Sequence, residues 1–172
     1  QRGLALFKLR AEAVEAGALA VMVNGHLRQL RGDRRGVQAA AFVAQRLAAT
    51  VFASSVEGIC ITDAERRILA VNPALESITG YSAADVVGKT PSVFSSGRHD
   101  PLFYRSMWQA ITRDGFWRGE VWNRRKSGEV FPELLTVTAV RDVSGKATHY
   151  IGSLFDITES KRTETELEKY RH

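Results

Sequence analysis

WRGEVWNRRK, at residues 117–126, opens the stretch of sequence that decides the fold. It is rich in aromatic and β-branched residues, and Ser127-Gly128 after it supplies a turn, because glycine reaches positive φ without steric cost. Residues 130–141 alternate between two faces, and residues 148–155 form a third run that ends before Asp156-Ile157-Thr158. This period of two predicts three consecutive antiparallel strands.

The same alternation places the side chains of these strands on two faces. We expect the inner face to form a pocket with the long helix that precedes the strands, and Asn123 is its one polar side chain that could orient a ligand. The alternative is a filled core in which Asn123 bonds to neighbouring backbone. The predicted lining is Ile61, Val121, Asn123, Leu135, Val137, Tyr150, Gly152 and Leu154.

The opposite face is predicted to be too apolar to be left in water. The available cover is the helix predicted at residues 37–54, either the chain's own or that of a second copy. The 3-4 spacing of apolar residues between Leu4 and Val21 suits pairing with a copy of itself and favours a homodimer. The alternative is a monomer whose first two helices form a hairpin over the sheet. The face comprises Trp122, Leu134, Val140, Ile151 and Phe155.

The composition is that of a globular protein with room for one domain and extra helix, at 172 residues, 44% hydrophobic and 25% charged. The longest nearly uninterrupted apolar run, residues 16–23, is shorter than the roughly 20 residues of a membrane span, so no membrane segment is expected. The single cysteine, Cys60, excludes an internal disulfide and fits a reducing, cytoplasmic location. The chain begins with Gln1 and no signal-peptide pattern, so we expect it to be part of a longer protein.

The net charge of +5 arises from 24 Lys and Arg against 19 Asp and Glu. The basic residues are scattered, and their tightest clusters, residues 31–35 and 124–126, lie at predicted turns. We interpret both clusters as solvated loop ends, so no nucleic-acid partner is expected.

Short helices are predicted between the second and third strands. Strands are expected near residues 57–63 and 67–71. Asn72-Pro73, Thr90-Pro91 and Asp100-Pro101 each place a capping side chain before a proline at the first helical position. Ser82 and Asp85 resemble a capping box, and the longest of these helices is predicted at residues 100–113.

These motifs together resemble a PAS domain. The pattern W-x-G-E-x-x-N-R-R-K-x-G at residues 117–128 with the terminal D-I-T is one such motif, and N-P-A-L-E at residues 72–76 with T-G-Y-S at residues 79–82 is the other. The resemblance implies an α+β fold, namely a five-stranded antiparallel sheet with short helices on one face, preceded by an N-terminal helical segment. The expected division is an N-terminal helical segment at 1–45, a PAS domain at 46–158 and the start of a linker helix at 159–172.

The resemblance implies a sensory and dimerisation module of a bacterial-type multidomain signalling protein. Such modules regulate an output domain in the same chain, a histidine kinase or a cyclic-di-GMP enzyme, through flanking helices whose packing shifts when a small molecule or partner binds. The N-terminal segment could then be a signalling helix from an upstream domain or a cap on the sheet. The alternative function is a flavin-binding redox sensor.

The resemblance implies different cofactors in different branches of PAS domains. In the flavin photoreceptor branch a reactive cysteine is expected where Pro91 stands, so no photochemical adduct is expected. Asn123 matches one polar residue at the flavin edge of that branch, whereas Glu133 and Leu154 replace the other two. The sequences at residues 88–97 and 117–126 resemble redox sensors of the nitrogen-fixation type more closely. FAD therefore stays an alternative cofactor. The first expectation is no recognisable cofactor.

Haem and catalysis are not expected. The helix predicted at 100–113 lacks a histidine, and His99 just before it is interpreted as an exposed loop residue. The chain contains no nucleophile elbow, no P-loop and no metal-spaced His or Cys pair. Glu129 and Glu133 are interpreted as surface or strand-end residues, and Trp117 and Phe131 as structural aromatics, so we do not predict an enzyme.

Overall fold

The protein is described by a computed structural model that covers residues 34–171. The helix predicted at residues 4–30, with its apolar seam, lies outside the described residues. The chain divides into two compact units, residues 1–51 and residues 52–172.

A long helix, α1, spans Arg34–Ser54, and the domain boundary predicted after residue 45 falls within it. None of its side chains is buried. By length and composition alone α1 could cross a membrane, which the sequence analysis did not anticipate. Such a helix is weak evidence for a span, because Arg46 lies near its middle, where a charged side chain costs about 2.5–3.5 kcal/mol on insertion.

Five antiparallel strands follow α1 and form one sheet in the order β2-β1-β5-β4-β3. Its inner face carries the short helices, which confirms the predicted α+β fold with a helical segment before it. The strands are β1 (Gly58–Asp63), β2 (Ile68–Val71), β3 (Phe116–Arg124), β4 (Val130–Arg141) and β5 (Ala147–Asp156). The remaining helices are α2 (Pro73–Thr79), α3 (Ala83–Val86), a 3-10 turn (Pro91–Phe94), α4 (Pro101–Asp114) and α5 (Thr158–Lys169).

Three of the four predicted helix caps are confirmed. Asn72 accepts a hydrogen bond from the Leu75 N–H at 3.0 Å, and Asp100 accepts one from Phe103 at 2.9 Å. Ser82 forms a reciprocal capping box with Asp85. Thr90 makes no side-chain capping bond to the 3-10 turn, so its role is limited to the extended backbone before Pro91. These caps position the short helices between β2 and β3.

Two hydrophobic clusters form the core. The first lies beneath β1 and β2 and contains Leu75 and Val86, both completely buried, together with Phe94. The second joins Met107 and Ile111 of α4 to Val137 of β4. The sheet therefore packs against α2 and α3 near one end and against α4 near the other.

Trp117 and Gly119 are two residues apart on β3 and form one packing unit. A Cβ atom on Gly119 would lie 2.6 Å from Cζ2 of the Trp117 ring, which no real side chain tolerates. The edge of the Trp117 ring therefore requires glycine at this position, which explains the W-x-G spacing. The Trp117 ring also meets Phe103 of α4 edge to face at 5.8 Å. The interpretation of Trp117 as structural agrees with these contacts.

We expect Phe131→Ala to lower the free energy of unfolding by about 3–5 kcal/mol, because it removes a fully buried ring. Phe131 has 0% of its surface exposed, whereas Phe116 on the neighbouring strand has 54% exposed. Phe116→Ala is therefore the matched control and should change that free energy by about 0.5 kcal/mol or less. Urea denaturation of both variants measures the difference, and equal losses would contradict this packing.

Candidate functional site

A cavity of about 1160 Å³ is lined by the inner face of the sheet, by α4 and by the 3-10 turn. This volume is slightly above the roughly 300–1,000 Å³ that is usual for ligand pockets in proteins. Most of the surface area of its wall is apolar, although both polar and apolar side chains contribute to the wall. The polar groups are therefore the ones that would select an occupant.

Seven of the eight predicted residues line this cavity, and Ile61 does not. The seven are Val121, Asn123, Leu135, Val137, Tyr150, Gly152 and Leu154. On β1 the buried side chains are those of Cys60 and Thr62, so Ile61 lies on the opposite face. The prediction for Ile61 is wrong because it assigned the larger aliphatic residue to the inside of a strand whose inner positions are Cys60 and Thr62.

Glu133 lies inside the cavity and not at the surface, which corrects its interpretation as a surface or strand-end residue. Only 1% of its surface is exposed. The Asn123 side-chain amide donates a hydrogen bond to its Oε1 at 2.6 Å. The other oxygen, Oε2, is buried and has no hydrogen-bond partner among residues 34–171. Asn123 thus bonds to a second side chain of the cavity and not to the neighbouring backbone.

Burial raises the pKa of the Glu133 carboxyl to about 7. The hydrogen bond from Asn123 acts in the opposite direction, the nearby charge of Asp156 adds to the rise, and Arg125 lowers the pKa. Glu133 is therefore close to half protonated at neutral pH, so either an acceptor or a donor can face the cavity.

A second cavity-lining residue carries a buried polar atom without a partner among the described residues. Tyr104, near the start of α4, lines the cavity, and its hydroxyl oxygen makes no hydrogen bond within the described part of the chain. A buried polar group without a partner costs about 1–3 kcal/mol. Two such groups in one cavity indicate a site that an occupant would complete.

The outer part of the cavity wall carries charged side chains. Arg66, Arg105 and Arg113 contribute guanidinium groups, and Glu65 contributes one carboxylate. The Arg66 guanidinium stacks over the Trp108 ring at 3.6 Å, and Arg113 pairs with Asp114 at 2.8 Å. Positive charge therefore predominates in this part of the wall.

The cavity offers no reactive thiol and no cluster of metal-binding side chains within residues 34–171. Burial raises the pKa of the Cys60 thiol to about 12, so it stays protonated and unreactive at neutral pH. No group of three His, Cys, Asp or Glu side chains that could hold a metal ion occurs among the described residues.

His99 is half-buried, which corrects its interpretation as an exposed loop residue. Its Nε2 accepts the Trp122 backbone N–H at 2.9 Å, and its ring stacks on Phe103 at 4.0 Å. Burial lowers its pKa, the charge of Arg98 adds to this, and Asp100 opposes it. Neither His99 nor His149, the two histidines of the described range, lines the cavity. Within the described residues, the cavity therefore offers no histidine as an axial ligand for haem.

Arg125 is engaged within the domain and is not a solvated loop residue, in contrast to the interpretation of the cluster at 124–126. Its guanidinium pairs with Asp156 at 2.6 Å and with Glu129 at 3.1 Å, and it stacks over the Phe131 ring at 3.9 Å. It also donates a hydrogen bond to the Ile78 carbonyl. Arg125 therefore ties the β3–β4 turn to α2 and to the end of β5.

Asp156 connects the cavity to α5. It lies directly opposite Glu133 in the pairing of β4 with β5. One oxygen of Asp156 accepts a hydrogen bond from the Arg125 guanidinium. The other accepts hydrogen bonds from the Thr158 backbone N–H, at 2.9 Å, and from the Thr158 hydroxyl. The residue that begins α5 is therefore held by a carboxylate adjacent to the buried Glu133.

The outer face of the sheet is partly exposed within the described chain. Arg98 stacks over the Trp122 ring at 3.8 Å, and Lys161 of α5 pairs with Glu120 at 2.9 Å. Val140 is exposed, and the other predicted members of this face, Trp122, Leu134, Ile151 and Phe155, are half-buried. None of these five residues lines the cavity.

Comparison with known proteins gives consistent matches. The sequence profile of the PAS domain family matches residues 56–159, more than half of the chain. A nitrogen fixation regulatory protein of Klebsiella oxytoca is 31% identical over 112 residues, which cover 65% of this chain and 23% of that protein. A blue-light-activated histidine kinase of Brucella canis is 32% identical over 104 residues, which cover 60% of this chain and 21% of the kinase. The chain therefore spans less than a quarter of the length of these curated relatives.

A solved structure shares the fold. The PAS domain of a protein from Colwellia psychrerythraea is similar with a TM-score of 0.63, over 67% of this chain and 98% of that chain. The two sequences are 20% identical, so this likeness concerns the fold alone.

We expect the free energy of unfolding of the Glu133→Gln variant to rise relative to that of the parent as the pH rises. A carboxyl whose pKa is raised to about 7 in the folded state binds more protons folded than unfolded, so its contribution to stability is lost between about pH 4.5 and 7. The shift corresponds to about 3 kcal/mol. Urea denaturation of parent and variant at about pH 5 and pH 8 measures this difference, with Glu65→Gln as the exposed control. Parallel pH curves for the parent and Glu133→Gln would contradict the burial of a titrating carboxyl.

Proposed function

The chain belongs to the PAS domain family, and we propose that it is the sensory and dimerisation module of a multidomain signalling protein. PAS domains are sensory and not catalytic modules. The observation that supports the proposal most is the cavity, in which the unpartnered Glu133 oxygen lies next to the residues that hold the start of α5. An occupant could therefore change the helix that leaves the domain.

The output domain that we propose is a histidine kinase or a cyclic-di-GMP enzyme in the same chain. The similarity to a blue-light-activated histidine kinase of Brucella canis supports the kinase. The match covers 21% of that kinase, which leaves most of its length for other domains. The proposed module would act on such a domain through α5.

The proposed route from the cavity to α5 is electrostatic. Glu133 and Asp156 lie opposite each other on adjacent strands, and Arg125 pairs with Asp156. Like charges on opposed positions of neighbouring strands destabilise each other. An ionised Glu133 therefore weakens the hold of Asp156 on Thr158, and an occupant that neutralises Glu133 strengthens it. The two states of Glu133 would bias two states of α5.

The homodimer in this proposal rests on the outer face of the sheet. Trp122, Leu134, Ile151 and Phe155 keep part of their apolar surface exposed to water in the described chain. A second copy of the chain is the proposed cover, because one self-complementary surface is enough to form a dimer.

A flavin-binding redox sensor is the alternative. Asn123 and Glu133 line the cavity together, and Asn123 matches a polar position at the flavin edge of related domains. The buried Glu133 carboxyl and Asn123 would hold the polar edge of such a ring, and the flavin would supply electron transfer. The similarity to a nitrogen fixation regulatory protein supports this candidate. A visible absorption spectrum of the purified protein distinguishes it from the colourless module, and mass spectrometry of the extracted occupant identifies the molecule.

We expect the start of α5 to lose protection against amide hydrogen exchange between about pH 6 and pH 8, after correction for intrinsic rates. The cause is the ionisation of Glu133 next to Asp156. Glu133→Gln should keep the low-pH protection of residues 158–161 at both pH values. The β4–β5 turn, where Asp142 accepts the Ser144 N–H at 2.9 Å, serves as an internal control that should not change. The same pH dependence in parent and variant would refute the proposed route.

We expect the protein to be a dimer by light scattering at micromolar concentration. Ile151→Glu should produce monomers, because it places a charge at the centre of the proposed interface. Val143→Glu is the matched control, because Val143 lies in the β4–β5 turn and is fully exposed. This variant should leave the dimer intact. A parent protein that is monomeric would exclude this part of the proposal.

A further inference from the structure

We propose that the cavity takes a heteroaromatic acid whose ring N–H donates to Glu133 and whose acid group accepts from Tyr104. This inference rests on the proposed sensory function, because it names the class of molecule that would occupy the same cavity. Both protein groups line the cavity, and each carries a buried polar atom without a partner among residues 34–171. Buried polar groups in native proteins nearly always have hydrogen-bond partners, so these two define what the occupant must supply.

At the β4 end the ionised form of Glu133 is satisfied by a donor from the occupant. Asn123 already donates to Oε1 of Glu133, so Asn123 positions the carboxyl and leaves Oε2 free to face a ligand. A carboxylate accepts strongly from an N–H group in an environment that excludes water.

At the α4 end the occupant must supply an acceptor. The Tyr104 hydroxyl has no partner among residues 34–171, and its O–H can donate to an acceptor on the occupant. Arg105 follows it on the same helix, and the exposed part of the cavity wall carries three guanidinium groups and one carboxylate, that of Glu65. Because positive charge predominates there, an anionic acceptor such as a carboxylate is favoured over a neutral one.

The apolar part of the wall favours a flat, apolar body. Met107, Val121, Leu135 and Val137 contribute aliphatic surface to it. The Trp108 and Tyr150 rings meet edge to face at 5.1 Å and present aromatic surface from α4 and β5. A ring system buried here would gain apolar contact without requiring further polar partners.

Three related probes test the two polar contacts separately. Indole-3-acetate carries the N–H and the acid, 1-methylindole-3-acetate lacks only the N–H, and 3-methylindole lacks only the acid. We expect the parent protein to bind indole-3-acetate about tenfold more tightly than either of the others by isothermal titration calorimetry, because each loss leaves one buried group unpaired.

Two variants assign each contact to its residue. Tyr104→Phe removes only a hydroxyl, and it should weaken indole-3-acetate about tenfold without changing the affinity for 3-methylindole. Glu133→Leu should abolish the preference for indole-3-acetate over its N-methyl form. Val143→Ala, at an exposed residue of the β4–β5 turn outside the cavity, is the control and should keep both preferences. Thermal melting checks that each variant is folded.

If Glu133→Leu does not fold, the pH dependence of the parent replaces it. The preference for the N–H probe should increase from about pH 6 to pH 8, because the ionised carboxylate is the stronger acceptor. Equal affinity for the three probes, no binding of any probe up to its solubility, or an unchanged affinity in Tyr104→Phe would each overturn the inference. The amide exchange of α5 in the protein without probes tests the sensory proposal separately, so one can fail while the other stands.

Discussion

The side chain of Asn72 is the constraint on which the rest of the structure depends. Its oxygen accepts the backbone N–H groups of Ile59 at 2.8 Å and Leu75 at 3.0 Å. Its amide nitrogen donates to the carbonyls of Phe52 at 3.0 Å and Glu57 at 2.9 Å. An asparagine side chain has two donors and two acceptor sites, so its whole capacity is used in a residue that is completely buried. One side chain therefore fixes the end of α1, the start of β1 and the start of α2 to one another.

That constraint determines one wall of the cavity. With β1 fixed beside α2, Gly58 lies so close to Leu154 and Leu75 that an added Cβ would be 3.0 Å from the Leu154 side chain and 3.1 Å from the Leu75 backbone. The close approach brings β1 against β5 with Cys60 and Thr62 facing inward. The opposite wall depends on α4, whose Asp100 cap and Met107 and Ile111 contacts hold it against the sheet. The volume between the two walls is set by backbone contacts and helix caps, so it does not depend on an occupant.

The sequence predicted the strands and caps better than it predicted the polar interior, for a physical reason. Period-two patterns and capping residues are local, so β3, β4, β5 and the Asn72 cap could be read directly. The other bonds of Asn72 and the pairing of Asn123 with Glu133 depend on the register between strands, which local patterns leave open. Extending the alternation of Leu135 and Val137 back by two residues would have placed Glu133 on the inner face. Because charged residues are mostly exposed, local patterns favour a surface position for Glu133 instead.

A buried carboxyl whose pKa is raised to about 7 lowers the free energy of unfolding, so a core that serves packing alone would not favour it. An apolar residue at position 133 would avoid both the desolvation of Glu133 and its repulsion of Asp156. Departures from local rules of this kind concentrate at functional sites, where the stability they lose is offset elsewhere. Here that residue is Glu133, which lies in a cavity and beside the carboxylate that holds the first residue of α5.

Because the pKa of Glu133 is near 7, a donor from an occupant needs to contribute only a small free energy to change its charge state. A neutral or a permanently ionised residue at the same position would change its charge state far less readily beside such a donor.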